Sequence, residues 1–229
     1  MRHLPTYCVI VSLAAAAPTT AGVVIDHPGI LSGGPASDTE FVIIPGPPIP
    51  TWQLLADNFV WPDVGEPVRR ITFFGFYGST FAPIEPPPDT ETFRVRFYDV
   101  APGSGLPGTI VFEESVVDPS RTATGNTILN GPGPPEFVYQ IDLTTPLALA
   151  PNTPYWLEVV QLGNLDSHFR WEFAFTDQDS FAFFNENVPD WTFSSLGADL
   201  AFQLSTVPEP GTIVLFLLGY LLVRSRGKA

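Results

Sequence analysis

Phe93-Arg94-Val95-Arg96-Phe97-Tyr98 sets apolar residues on alternate positions with arginines between them. Successive side chains of a strand point to opposite faces, so Phe93, Val95 and Phe97 share one face while Arg94 and Arg96 take the other. That is the pattern of an antiparallel strand with one dry and one wet side. It recurs in Phe137, Tyr139, Ile141 and Leu143, and in Leu200, Phe202 and Leu204. Phe169, Trp171, Phe173 and Phe175 repeat it with Arg170 and Glu172 opposite. Val68–Phe76, Ile110–Val117 and Tyr155–Leu162 read as further strands. Turn-formers separate them: Pro86-Pro87-Pro88-Asp89, Pro102-Gly103-Ser104-Gly105, Asn130-Gly131-Pro132-Gly133 and Pro151-Asn152. No stretch of the body keeps a helical period for three turns. The expected fold is all-β, an antiparallel β-sandwich or jelly roll over residues 51–206. Residues 22–50, rich in Gly and Pro, are expected to be irregular and to end in an edge strand.

Composition agrees with that reading. Of 229 residues, 45% are hydrophobic, enough for a packed core, and 26 prolines with 19 glycines imply many turns. There are 10 Lys+Arg against 24 Asp+Glu, so no cationic surplus exists to replace phosphate counterions and nucleic acid is excluded as a partner.

The two ends differ from the body. Met1-Arg2-His3, the apolar run Tyr7 to Leu13 and the small residues Ala14 to Ala17 form a charged, a hydrophobic and a cleavable region in order. Residues 1–21 are therefore expected to be a signal peptide cut by signal peptidase after Ala21, with Ala17 as the alternative. Cys8, the only cysteine, would leave with it, so no disulfide framework remains. At the other end Val207-Pro208-Glu209-Pro210 makes a stiff extended spacer. An apolar helix over residues 212–223 follows, then a basic tip with Arg224, Arg226 and Lys228. The run is shorter than the roughly 20 residues that span a bilayer comfortably, but local thinning and snorkelling of the tip can seat it. The cationic end would stay cytoplasmic, with the body outside. Without residues 1–21 and 224–229, six arginines and no lysine face all 24 acids, a charge that favours solubility and cation uptake.

The C-terminal series Val207-Pro208-Glu209-Pro210, short hydrophobic helix and arginine-containing tip, paired with a signal peptide, resembles the PEP-CTERM substrates of exosortases. The resemblance covers about the last 23 residues. It implies recognition by a membrane-embedded sorting protease, removal of the helix, and passage of the rest to the envelope or extracellular matrix. The body resembles a domain seen repeatedly in such anchored proteins. The matching points are Asp57-Asn58-Phe59, Ile71-Thr72-Phe73-Phe74-Gly75, Phe93 to Tyr98, Gly105-Leu106-Pro107-Gly108-Thr109, Thr153-Pro154-Tyr155-Trp156-Leu157 and Asp199-Leu200-Ala201-Phe202. This likeness implies a β-sandwich and assigns no chemistry.

Motifs for chemistry are sparse. Gly103-Ser104-Gly105-Leu106-Pro107-Gly108 matches G-x-G-x-x-G, but the motif needs a helix after its second glycine and Thr109-Ile110-Val111-Phe112 reads as a strand, so a hairpin connection is expected. His27 and His168 are isolated, without cysteines for a zinc site or a G-x-S-x-G elbow for a nucleophile. Carboxylates are plentiful, and calcium is the cation they suit. Asp177 and Asp179 are the candidate metal ligands, with Asp166 and Asn164 weaker, although Phe181 and Ala182 break an EF-hand pattern. Most acids are expected in turns or on wet strand faces. Trp156 and Trp171 are expected in the core, whereas Trp52, Trp61 and Trp191 lie near turns and are the candidates for stacking on sugar rings. The leading expectation is an exported, non-enzymatic surface or matrix protein without a resident cofactor. The alternatives are a carbohydrate-binding module for extracellular polysaccharide, assisted by calcium, and a secreted glycoside hydrolase with a carboxylate pair.

Overall fold

Alternation puts one apolar face on each strand, and two sheets bury those faces against each other. The computed structural model describes residues 22–37, 52–78, 86–130, 133–163, 168–174, 180–185 and 188–206. In chain order the strands are β1 (Val23–His27), β2 (Gln53–Trp61), β3 (Val68–Tyr77), β4 (Thr92–Val100), β5 (Pro107–Val117), β6 (Ser120–Thr127) and β7 (Pro135–Leu147). They continue with β8 (Thr153–Gln161), β9 (Phe169–Trp171), β10 (Phe173–Ala174), β11 (Ala182–Asn185), β12 (Val188–Phe193), β13 (Asp199–Leu200) and β14 (Phe202–Ser205). All pairings among them are antiparallel. One sheet runs β1-β14-β3-β7-β6, with β9 also on β3; the other runs β12-β11-β2-β8-β4-β5; β10 and β13 pair separately. Every described residue belongs to the compact unit Ala21–Pro208.

The core lies between the two large sheets. Ile71, Phe73, Tyr139, Ile141, Phe202 and Leu204 come from one side, and Leu55, Phe93, Val95, Phe97, Leu157 and Val159 from the other. Rings interlock across the gap: Phe73 lies 5.2 Å from Phe93, Phe93 5.1 Å from Tyr139, and Phe59 6.0 Å from Phe202. The all-β expectation therefore holds, and the alternating runs at Phe93, Phe137 and Leu200 point their apolar residues inward as read. The glycine motif is a hairpin connection, with Val100 paired to Pro107 and the Ala101 N–H donating to the Leu106 carbonyl at 2.8 Å. Gly103 and Gly105 take φ of +84° and +75° in that turn, where side chains with a Cβ are strained.

Two expectations change. The segment 22–50 starts with an ordered strand, β1 on β14, and residues 28–37 then run beside β9 and β10. Backbone bonds hold this stretch: Phe173 N–H to Gly33 O at 2.9 Å, Trp171 N–H to Pro35 O at 3.1 Å and Ser37 N–H to Phe169 O at 3.0 Å. Apart from β1 the described part of this segment has two isolated bridges and no strand, and residues 38–50, where an edge strand is expected, lie outside the described residues. The stretch 28–37 overturns the second expectation, because Glu172 is not on a wet face but wholly buried beneath it.

Among the described residues no helix is long and apolar enough to cross a membrane. The signal segment 1–21 and the sorting segment 207–229, with Val207, Pro208, Glu209, Pro210, Arg224, Arg226 and Lys228, lie outside the described residues. So do Asp177, Asp179, Asn164, Asp166 and Phe175.

Candidate functional site

The outer face of the β12-to-β5 sheet gathers aromatic residues. Register places Tyr98 beside Trp156, and Arg96 beside Glu158, on β4 and β8. Glu158 neighbours Ala56 on β2, which neighbours Ala182 on β11, which neighbours Phe193 on β12. The small, fully buried side chains of Ala56 and Ala182 lie in the middle of the face. The sheet curls over them, so that Trp191 of β12 comes within 5.8 Å of Tyr98, although three strands separate β12 from β4. Phe193 lies 6.0 Å from Trp156, whose Nε1–H donates to Gly105 O at 3.2 Å. Phe184 sits between Trp52, at 5.2 Å, and Trp191, at 5.8 Å.

This arrangement brings together two of the three tryptophans singled out in the sequence. Trp52 and Trp191 are half-buried neighbours of one phenylalanine, while Trp61 belongs to the core with 2% of its surface exposed. The rings do not form a flat row: Trp52 and Phe184 are inclined by 36°, Phe184 and Trp191 by 47°, and Tyr98 and Trp191 by 75°. Such tilts favour packing of the hairpin over a flat stacking platform. A cavity of about 300 Å³ lies elsewhere, lined by Trp61, Asp63, Glu66, Pro67, Leu149 and Pro151 among others.

Beneath the aromatics is a buried ion pair that the sequence reading missed. Glu158 has no exposed surface. It accepts hydrogen bonds from the Tyr98 hydroxyl at 2.6 Å and from Arg94 Nε and Nη2 at 3.2 and 3.0 Å. Arg96 Nη1 stands 3.9 Å away, and its Nε donates to Glu113. Burial and the adjacent Glu158 carboxylate both push the Tyr98 hydroxyl pKa up, so it stays a donor. The signal was a lone acid inside the apolar run Trp156-Leu157-Glu158-Val159-Val160. Glu91 makes a second centre, accepting from Tyr139 O–H at 3.1 Å and also from Tyr77 and Arg121. Gln161 donates to the Tyr77 hydroxyl at 3.0 Å and accepts the Phe169 N–H at 3.2 Å.

A third centre joins the two sheets. His27 Nδ1 of β1 lies 3.3 Å from Asp57 Oδ2 of β2, and its ring packs 4.5 Å from Phe202. Asp57 has no exposed surface and accepts the Leu200 N–H at 2.8 Å and the Asn58 N–H at 3.0 Å. Burial pushes the Asp57 carboxyl up to about 6, against the pull of His27 and of the Leu200 N–H. Burial opposes protonation of His27, but Asp57, Asp199 and Asp26 together carry its pKa above the ordinary value. The pair can hold and exchange a proton, and its geometry serves to tie β1 to β2.

The remaining buried acids, Glu136, Glu172 and Asp199, also contradict the expectation that acids keep to turns and wet faces. Among the described residues no group of three or more His, Cys, Asp or Glu is placed to hold a metal ion. None of the buried acids lines the cavity at Trp61. No family model, no curated protein and no solved structure matches the chain.

Proposed function

We propose that the chain is an exported, non-enzymatic surface or matrix protein, sorted by an exosortase and structural or adhesive in extracellular polymer. The observation that carries this reading is the ordered C-terminal series: Val207-Pro208-Glu209-Pro210, the apolar run 212–223, then Arg224, Arg226 and Lys228. Residues 1–21 supply the export signal for signal peptidase. The apolar run holds the precursor in the inner membrane until the exosortase clips it, and the body passes to the cell envelope or beyond. The layout of the body supports this division. β14 ends at Ser205, so a cut after residue 206 removes no described strand. Its buried charges are spent on tying strands together, Glu158 to Arg94 and Glu91 to Arg121, as suits a scaffold. Replacing Pro208, Glu209 and Pro210 by alanine is expected to leave an uncleaved precursor in the membrane fraction; unchanged clipping and release would refute the sorting assignment.

A second reading, a carbohydrate-binding module assisted by calcium, is favoured by the half-buried Trp52 and Trp191 flanking Phe184 on one outer face. A glycan array probed with the full chain in detergent, with and without calcium, tests it. Binding that falls when Trp52 and Trp191 are replaced by alanine supports the reading, and failure to bind any glycan removes it.

A further inference from the structure

β1 is lightly fastened. It is five residues long, lies at the edge of its sheet and pairs with β14 alone. Its register with β14 breaks between Val23 and Ile25, and Val23 is 52% exposed. The residues after it are held by more. Backbone bonds join Ile30 and Gly33 to Phe173, Pro35 to Trp171 and Ser37 to Phe169. Leu31 O accepts the Leu129 N–H at 2.6 Å, and Ala36 O accepts from Gln53 Nε2 at 2.9 Å. Among the described residues two side-chain hydrogen bonds secure β1 itself. Gln203 Nε2 donates to Asp26 Oδ1 at 3.0 Å in an exposed position. His27 Nδ1, 3.3 Å from Asp57 Oδ2, reaches the opposite sheet.

The surroundings of that ring are wholly acidic. Asp57 on β2 faces it, with Asp26 on β1 and Asp199 on β13, whose neighbour Leu200 gives its N–H to Asp57. β14 reads Phe202-Gln203-Leu204-Ser205 and offers no charge. Arg70 on β3 stands opposite Ser205, at the far end of the β14 ladder from His27, and is taken up by Asp142. Among the described residues His27 is thus the one cationic partner of Asp57, which has no exposed surface. A histidine ring gives up its proton within reach of neutral pH, and the neutral ring can keep an N–H bond but not the charge. Asp57 is then a buried carboxylate with only the Leu200 and Asn58 N–H groups and a neutral ring, a costly state. Moving His27 aside and admitting water relieves it, and the strand that carries His27 has little else to hold it. We propose that β1 is a pH-released strand: the protonated ring of His27 clamps it across to Asp57, and loss of that proton lets Val23–His27 leave the sheet and bare the flank of β14, while residues 28–37 stay in place. Burial opposes the ring's proton, but Asp57, Asp199 and Asp26 outweigh it and carry release above the ordinary histidine range. Glu172 holds Leu31 and not β1, and titrates separately, since burial pushes its carboxyl up to about 8. The switch depends on neither the sorting nor the glycan reading.

The test is hydrogen exchange of the full chain in mild nonionic detergent at pH 6 and pH 9, with intrinsic rates divided out. Mass spectrometry follows peptides spanning Val23–His27 and Val68–Tyr77. β1 is expected to be less protected than β3 at both pH values, because it opens alone, and to lose at least tenfold of its protection from pH 6 to pH 9. In His27→Gln the two pH values should agree within twofold for β1. Glu172→Gln should leave the tenfold loss in place, because the stretch that Glu172 holds does not move. Equal protection of β1 and β3, a loss below tenfold in the parent, or the same loss in His27→Gln would each overturn the proposal. A loss abolished by Glu172→Gln would place the titrating group elsewhere and overturn it equally.

Discussion

Replacing Arg94 by alanine strands Glu158 in the outer layer of the sheet. Arg94 supplies two of the three hydrogen bonds that Glu158 receives from side chains, at 3.0 and 3.2 Å, and the Tyr98 hydroxyl supplies the other at 2.6 Å. Removing one partner of a buried pair costs about 3–5 kcal/mol, because the remaining charge keeps its desolvation penalty without its compensation. Arg96, 3.9 Å away, retains part of the attraction, which places the expected loss near the low end, about 3 kcal/mol. For a domain of this size, 1 kcal/mol moves Tm by roughly 2–4 °C, so the variant should melt about 6–12 °C below the parent. The decisive companion is Arg94→Met with Glu158→Leu, which removes both charges and keeps apolar volume in their place. That double variant should return to within about 1 kcal/mol of the parent. Thermal and denaturant unfolding of the parent, Arg94→Ala and the double variant read the outcome. If Arg94→Ala alone stays within about 1 kcal/mol of the parent, or the double variant is as damaged as the single one, the pair is not the tie described here.

The proton held by His27 and Asp57 gives stability a pH dependence. Asp57 is raised from 3.8 to about 6 and His27 is raised above 6.5, so both favour the folded state when protonated. The Asp57 contribution is complete below its unfolded pKa and lost as pH rises through about 6; the His27 contribution is complete below 6.5 and lost as pH rises through its higher folded value. Tm should fall from pH 5 to pH 8, and His27→Gln should flatten that fall when both proteins carry Glu172→Gln, which removes a contribution of the same sign. Gly75→Ala should lower stability by about 2 kcal/mol or more, since its Cβ would run into the Phe169 ring and the Arg170 carbonyl in a filled core; melting within 1 °C of the parent would count against that packing. Trp191→Ala should cost about 1–2 kcal/mol by opening the cover over Tyr98, read by denaturant midpoint.

How far the sequence could be read depended on whether a strand had one face in water. β4 and β7 do, and Phe93, Val95 and Phe97, like Tyr139 and Ile141, announce themselves by alternation. β8 does not: Trp156, Glu158 and Val160 on its outer face are as buried as Leu157 and Val159 on its inner face, with Phe193 of β12 packed 6.0 Å from Trp156 and Arg94 and Tyr98 bonded to Glu158. Its strand was legible from length and apolar content, and the only local mark of the role of Glu158 is that it stands as a lone acid in the run Trp156 to Val160. Glu172 misled in another way. Between Trp171 and Phe173 it has the spacing of a wet-face residue, and only the stretch 28–37, some 140 positions earlier, takes it out of water. β1 went unread because Val23, Val24 and Ile25 form too short a run among glycines and prolines to show a period. Trp52 and Trp191 were picked for lying near turns, and their meeting through Phe184 depended on strand order, which composition does not encode.

β14, the last strand, is not at a border of its sheet but runs between β1 and β3, zipped on both flanks. A tug along its axis through the residues after Ser205 would strain both ladders at once instead of peeling rungs singly. Any tether fastened downstream would thus transmit load into an inner strand of the sheet.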